Sequence, residues 1–290
     1  MKIREIHSLL FHFGEILKKG KLYIVPTPIG NLKDITYRAV EVLNEVDYIA
    51  AEDTRTSKIL LKHYNISTQM ISYHKYNEKK RSSELINFLN AGKDIAVISD
   101  AGTPGISDPS QIIIKEAILH GIQVVPLPGA TAFVPALIGS GLNTDNFMFV
   151  GFLPDKLKSK NELFLKIKSI NSSLIFYESP HRIFSTLKLL KEIFGDRKVS
   201  IARELSKIYE TFYRGNLSEL IQTEIVEKGE FVIVLEGYKT TKMSDKEIIE
   251  KLSSLLEKGE KQSKAVKIIS KTYDLPKNRV YELSLKLKES

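Results

Sequence analysis

Cysteine is absent from the 290 residues. A disulfide framework, a thiolate metal site and a cysteine nucleophile are therefore closed to this chain. The six histidines are scattered, and none repeats at the short spacing of a zinc enzyme. Long apolar runs are missing as well, with nothing near the roughly 18 residues of a membrane span. No Gly-x-Gly-x-x-Gly occurs; the nearest run, Gly139-Ser140-Gly141, lacks the third glycine. No Gly-Lys-Ser/Thr occurs either. A P-loop nucleotidase is thus excluded at the level of motif, and a dinucleotide fold or common Rossmann-type methyltransferase is disfavoured. There is no internal repeat and no low-complexity segment.

What is present is ordinary for a globular protein, with 42% hydrophobic and 27% charged residues. The length suits two domains. Residues 1–20 set Ile3, Ile6, Leu9, Leu10, Phe13, Ile16 and Leu17 at helical spacing. His7, His12 and Glu15 interrupt them, and no small-residue cleavage site follows, so an added amphipathic helix or a misassigned start codon is expected, and a cytoplasmic location with either. The net charge of +8 is uneven: residues 21–143 carry 12 basic and 12 acidic groups, whereas residues 240–290 carry 12 and 8. A neutral body with a basic appendage suits a nucleic-acid partner. A general preference for lysine along the chain gives the same excess without one.

From Lys21 strand-like runs alternate with helical ones. The strands are expected at Leu22–Val25, Val46–Ala51, Ile95–Ile98 and Ile122–Val125. The helices are expected at Thr36–Asn44, Ser57–His63, Glu84–Asn90, Gln111–His120 and Ala130–Ile138. This alternation predicts a mainly parallel sheet covered on both faces. After residue 143 the style changes. Phe147–Val150, Leu174–Tyr177, Val199–Ala202, Ile208–Phe212 and Phe231–Leu235 read as strands, some too close together for parallel crossovers, which predicts a mixed sheet. Ser244-Asp245-Lys246-Glu247 is a capping-box pattern opening a helix that Gly259 stops. Helical patterns at Lys264–Lys271 and Lys277–Lys288 complete a small appendage. The expected organisation is α/β: an extension at 1–20, an α/β domain with a parallel sheet at 21–143, an α/β domain with a mixed sheet at 144–239, and helices at 244–290.

The chain centres on Val97–Pro109. An apolar strand enters it and the helical pattern of Ile112, Ile113, Lys115, Glu116, Ile118 and Leu119 leaves it. Asp108 reads as the N-cap of that helix and Pro109 as its first residue. Thirteen residues are long for a βα turn, which usually runs to about 2–6, and a stiff loop there reads as a ligand loop. Three further loops follow strand ends: Pro26–Leu32, Glu52–Arg55 and Pro126–Thr131. In a parallel sheet they share one edge with the Asp100 loop and line one cleft. Glu178–Arg182 follows a strand of the second half.

These residues carry a resemblance. Val25-Pro26-Thr27-Pro28-Ile29-Gly30-Asn31-Leu32, Ala51–Arg55, Ser72-Tyr73-His74 with Asn77-Glu78, Ser99–Pro109 and Pro126–Gly129 resemble the ribosomal RNA small subunit methyltransferase I family of the tetrapyrrole-methylase superfamily. Phe176–Arg182, Ala202–Lys207 and Lys228–Val232 do so too. The resemblance runs from about Lys21 to Ser290 with its motifs in order. Three departures stand out. Residues 1–20 lie before the usual start, Pro26 replaces a small residue, and Pro128-Gly129-Ala130-Thr131 replaces Pro-Gly-Pro-Ser.

The resemblance implies two α/β domains with S-adenosylmethionine in the cleft between them, and a homodimer. It implies 2′-O-methylation of a cytidine ribose in the decoding region of 16S rRNA, on the rRNA or the small ribosomal subunit. The cofactor residues it implies are Thr27, Asp100, Gly102, Pro104, Gly105, Ile106, Ser107, Pro128, Gly129, Thr131, Ala132 and Tyr177. N–H groups at the helix after Gly129 suit the cofactor carboxylate, and Asp100 with its loop carbonyls suits the amino group and sulfonium. Glu178, Arg203 and Asp53 are the catalytic candidates, with the general base left open.

Several of the candidates have a structural alternative. Asp53 or Thr54 caps a helix, His181 packs, and Arg203 pairs with Glu204. Arg55, His181 and Arg182 are the expected RNA contacts, joined by Lys264, Lys267 and Lys271 in the appendage, with Lys277 and Arg279 nearby. The appendage reads equally as packing for the second domain. Two competing functions share these features, a tetrapyrrole-type small-molecule methyltransferase and a non-catalytic RNA-binding assembly factor. The Glu52–Arg55 and Glu178–Arg182 motifs and the basic tail speak against the first, and cofactor binding would exclude the second.

Overall fold

The computed structural model describes residues 18–108, 110–239, 244–273 and 275–289. The expected helix at 1–20 falls outside them but for residues 18–20, which form no regular element. The chain divides into two compact units, Met1–Lys168 with Ser172–Glu236 and Ser169–Asn171 with Gly237–Ser290.

The first unit opens with β1 (Lys21–Ile24), α1 (Tyr37–Glu45), β2 (Tyr48–Ala51), α2 (Thr54–His63) and β3 (Gln69–Ser72). It continues through α3 (Glu78–Asn90), β4 (Ile95–Ile98), α4 (Gln111–Leu119), β5 (Gln123–Pro126) and α5 (Phe133–Ser140). The five strands form a wholly parallel sheet in the order β3-β2-β4-β1-β5. Side chains alternate between its faces. On β4, Ile95 and Val97 join a core with Leu85 and Leu89 of α3 and Ile113 of α4, whereas Ala96 and Ile98 join one with Leu43 of α1 and Leu61 of α2. Full burial of such aliphatic side chains stabilises the fold by roughly 1.5–3 kcal/mol each. It also means that the chain leaves the adjacent strands β1 and β4 toward opposite faces. A crevice opens where neighbouring strands diverge in this way.

The rest of the first unit holds β6 (Phe147–Phe152), α6 (Leu157–Ile167), β7 (Ser173–Glu178), α7 (Ile183–Phe194), β8 (Lys198–Arg203), β9 (Thr211–Asn216), α8 (Leu217–Leu220) and β10 (Phe231–Leu235). Their order is β6-β7-β10-β8-β9, parallel only between β6 and β7, so the sheet is mixed as expected. Phe164 of α6 packs edge-on against Phe176 of β7 and Phe194 of α7. Ala136 and Leu137 of α5 belong by packing to this second sheet, against Ile175, Ala202, Val232 and Val234.

Several elements differ from expectation. β3 is an additional edge strand whose half-exposed Gln-Met-Ile-Ser shows little alternation. The strand expected at Ile208–Phe212 begins instead at Thr211, leaving Ile208 and Tyr209 outside the sheet. Asp108 is not a helix N-cap: α4 starts at Gln111, and the Asp108 carboxylate instead accepts the N–H groups of Gly105 (2.6 Å) and Ser110 (2.9 Å). Pro109 lies outside the described residues.

The second unit consists of α9 (Asp245–Glu257), α10 (Gln262–Thr272) and α11 (Lys277–Glu289) around Ile248, Leu252, Val266, Ile269 and Val280. Ser244 and Glu247 close the expected capping box, worth about 1 kcal/mol. Gly259 follows α9 in the left-handed conformation at φ 84°, where a side chain would be strained. Among the described residues no helix is long and apolar enough to cross a membrane.

Candidate functional site

The loops at the carboxyl edge of the parallel sheet are stitched together by their backbones. Thr27 and Gly102 exchange both N–H···O bonds, at 2.9 and 3.0 Å, in an isolated antiparallel bridge. The buried Thr27 hydroxyl donates to the Ser99 carbonyl (3.1 Å), and Thr103 donates to the Ala130 carbonyl (2.9 Å). Gly102 takes φ 81°, a conformation that favours glycine. A side chain on Gly129 would run into the Pro26 ring, so that departure from the resembled pattern locks the loops after β1 and β5 together. The Asp53 N–H holds one Asp100 oxygen at 3.1 Å.

A cleft of about 310 Å³ lies beside this seam, lined among others by Thr27, Ile29, Gly30, Ile59, Asp100 and Lys207. The carboxylates of the seam are distinctive. Burial pushes the Asp100 carboxyl above its ordinary pKa. Burial and then the Asp100 charge push Glu52 up as well. Two carboxylates whose charges repel are a favourable setting for a cationic ligand, whose charge relieves both. Among the described residues no cluster of His, Asp or Glu could hold a metal ion.

The remaining cofactor candidates surround the same seam. Pro104 is buried, Gly105 stands at φ 88°, and Ile106 and Ser107 are exposed at the loop tip. Pro128 and Gly129 are exposed, with Thr131 and Ala132 half-buried before α5. Tyr177 sits between Phe149 and Phe152 at ring distances of 5.0 and 5.2 Å. Burial raises its hydroxyl pKa, and the N–H groups of Phe133 and Ala132 bond to it.

The catalytic candidates fare differently. Asp53 caps α2 by accepting the Arg55 N–H (2.8 Å) and grips the Arg55 guanidinium with both oxygens (3.1 and 2.7 Å). Arg55 thereby lowers the Asp53 pKa to about 2, which unfits it as a base at neutral pH. Glu178 is not at the mouth, as expected of a residue touching RNA, but is enclosed, at 2% exposure. Its oxygens accept the Ser179 N–H (2.7 Å), Arg182 Nε (2.6 Å), the Thr186 hydroxyl (2.6 Å) and Lys160 Nζ (3.4 Å).

Arg203 bonds not to the Glu204 carboxylate but to the carbonyls of Lys228 (2.8 Å) and Tyr209 (3.3 Å). Glu204 pairs instead with Lys207 at 2.8 Å. His181 is exposed, and Arg182 also meets Asp155. The Arg55 side chain is 90% exposed. In the second unit Lys264 pairs with Glu260, whereas Lys267, Lys271 and Lys277 share a concave surface with Ser270. Lys160, Lys207, Ile59 and Glu230 are site residues that the sequence does not announce. Lys207 and Glu230 stand inside recognised motifs; nothing in the spacing around Lys160 marks it as buried.

Two α/β halves meeting over loops at the strand ends, with an acidic seam, define a methylase-type α/β protein. A family-wide sequence model described as Tetrapyrrole (Corrin/Porphyrin) Methylases matches residues 21–221. A Synechocystis protein named Ribosomal RNA small subunit methyltransferase I is 45% identical over 274 residues, covering 92% of this chain and 98% of that protein. One of the same name from Halalkalibacterium halodurans is 43% identical over 274 residues, covering 91% and 94%. Among solved structures, a diphthine synthase superposes with TM-score 0.61 at 16% identity over 75% of this chain and 90% of that one. The Thermus thermophilus uroporphyrin-III-C-methyltransferase superposes with TM-score 0.55 at 17% identity over 75% and 94%; both show the fold alone. The chain belongs to the ribosomal RNA small subunit methyltransferase I family of the tetrapyrrole methylases.

Proposed function

We propose that this protein uses S-adenosylmethionine to methylate small-subunit ribosomal RNA, at the 2′-hydroxyl of a cytidine in the decoding region of 16S rRNA. The rRNA substrate is supported by the names of the relatives. The observation that carries the cofactor is the seam itself, in which the Asp53 N–H holds the Asp100 carboxylate beside the bridge that joins Thr27 to Gly102. The groups present fit the cofactor: carboxylates for its ammonium and sulfonium, and the positive helix end after Gly129 for its carboxylate. When bound, S-adenosylmethionine supplies an electrophilic methyl for in-line attack.

The chain's own part is alignment and exclusion of water, which for a weak ribose nucleophile is worth several orders of magnitude. Asp100, pinned by the Asp53 N–H, orients the ligand. Glu178 acts by positioning: it fixes Arg182 and the turn at His181 for an RNA phosphate. Arg203 holds the Lys228 and Tyr209 carbonyls and so shapes the rim. Arg55, Lys267 and Lys271 supply further phosphate contacts, with Lys264 contributing less because Glu260 neutralises it. A cytoplasmic homodimer belongs to the same reading. Phe147, Met148 and Phe152 stand exposed on edge strand β6, and a second copy would cover them.

Ribose-methylation mapping on unmodified small subunits incubated with the protein and S-adenosylmethionine tests the proposal. A new 2′-O-methyl group at one decoding-region cytidine is expected. Methylation of a base, or transfer only to a small tetrapyrrole, would refute it.

A further inference from the structure

We propose that the Glu204–Glu210 loop and Tyr37, on the segment bonded to it, form a stacking rim that grips unpaired RNA bases beside the cleft. The inference rests on the RNA-methyltransferase reading and adds a binding surface to it.

The loop between β8 and β9 is unusual in its backbone. Glu204 and Ser206 both adopt left-handed conformations, at φ 53° and 70°. Such residues persist only where neighbouring bonds over-determine them, and they gather at functional sites. Here the bonds are plain. The Glu204 N–H donates to the Glu230 carbonyl, and the Glu204 carboxylate accepts the Glu230 N–H, each at 3.0 Å. The Ser206 N–H donates to Glu210 (2.7 Å), and the Ser206 hydroxyl bonds to Asp34. Arg203 holds the Tyr209 carbonyl from beneath.

The product of this bracing is two large apolar side chains held out in water. Ile208 is 94% exposed and Tyr209 72%. Neither packs into the loop it belongs to, so the bracing serves their display. The Asp34 bond ties the loop to the segment after β1, where Tyr37 is 92% exposed on the first turn of α1. The cleft beside Asp100 is walled by Lys207 of the one loop and by Ile29 and Gly30 of the other.

The surroundings indicate the occupant. Lys33 and Arg38 are exposed on the segment after β1, and Arg55 and Lys58 at the start of α2, whose Ile59 lines the same cleft. Protruding aromatic rings interleaved with cations are the surface of a single-strand binder, in which bases stack on rings while phosphates meet the charges. A protein interface core would be a continuous apolar patch poor in charge. In a duplex the base faces are already stacked, so the rim selects RNA whose bases are free around the acceptor ribose.

The test compares the full-length protein with Tyr209→Ala, Ile208→Ala/Tyr209→Ala, Tyr37→Ala and Tyr209→Phe. The probe is an RNA oligonucleotide with 2-aminopurine beside a cytidine, used single-stranded and annealed to its complement. The parent should quench the single-strand fluorescence and bind that form more tightly than the duplex. Tyr209→Ala should lose roughly 5- to 150-fold in affinity, the range for one base–aromatic stack. Its salt slope should stay unchanged, because a stack releases no counterions. Tyr209→Phe should keep the affinity, and every variant should bind S-adenosylmethionine as the parent does. Affinity within twofold of the parent in Tyr209→Ala, or equal binding of the duplex, overturns the proposal. So does loss of self-association in the double variant, which would assign the pair to a contact between copies. Failure of the underlying reading looks different, for then the parent itself neither binds nor methylates RNA.

Discussion

Replacing Glu178 by alanine removes the acceptor of four donors at once, and the consequence can be sized from their surroundings. The Glu178 side chain has no exposed surface, and that of Lys160 has 7%. Truncation therefore strands an ammonium group whose remaining partner is the Thr186 hydroxyl at 3.0 Å. Breaking a buried pair from one side costs about 3–5 kcal/mol. Arg182 adds little to this, since its side chain is one-quarter exposed and keeps Asp155.

The opposite truncation is milder. Lys160→Met withdraws the buried cation and leaves Glu178 its guanidinium, hydroxyl and N–H donors, so its cost should be about 1 kcal/mol. The double variant Glu178→Leu/Lys160→Met should recover at least half of the loss, because an apolar pair of similar volume replaces two buried charges. The chain has no tryptophan, so urea unfolding is followed by circular dichroism, and midpoints are compared at equal m-value. A Glu178→Ala variant within about 1 kcal/mol of the parent would refute the reasoning. So would a Lys160→Met variant as unstable as Glu178→Ala.

Asp53 gives a pH prediction. Its folded pKa of about 2 lies below the ordinary carboxylate value. Its contribution to stability is therefore complete above about pH 4 and is lost as pH falls toward 2. Arg55→Ala should return the Asp53 titration, read by NMR, toward the ordinary range; an unmoved titration would disprove the Arg55 assignment. Asp100→Asn should weaken S-adenosylmethionine binding by calorimetry about tenfold or more, as loss of a charge-assisted bond does, with the fold retained. Unchanged affinity would remove Asp100 from the cofactor site. Lys267→Ala/Lys271→Ala should flatten the log–log salt dependence of RNA binding by roughly 0.7–0.9 for each phosphate no longer neutralised. An unchanged slope would leave the second unit as packing.

Where local chemistry decides, the residues could be read directly. Ile95–Ile98 is apolar at every position because β4 is covered on both faces, and the loops that follow β1, β2, β4 and β5 meet because parallel strands end on one edge. Asp53 as a helix cap was legible from Asp-Thr-Arg alone, though not its bidentate hold on Arg55. Distance in sequence hid the rest. Glu178 stands at a strand end as expected, yet its direction is set by Lys160 and Thr186 on two helices. Asp108 looks like a cap until the Gly105 N–H claims its other oxygen. Ile208-Tyr209 has the composition of a strand and the position of a loop, and composition cannot say which side chains a fold leaves in water. β3 escaped notice because an edge strand with polar ends alternates too weakly to register.

The divided allegiance of α5 sets an order of assembly during synthesis. The helix follows directly from Pro128–Ala132, yet its buried face rests on β7, β8 and β10. About 95 residues separate Ser140 from Leu235, which at roughly 5–20 residues per second takes the ribosome about 5–20 s. Until then the parallel sheet can form, but the helix start that receives Tyr177 has nothing to lean on. A nascent chain thus cannot complete its ligand cleft early, because Lys207 and Glu230 wall it. The enzyme becomes competent only when almost the whole first unit has left the tunnel, and a chain truncated anywhere before β10 would be born without a working cleft.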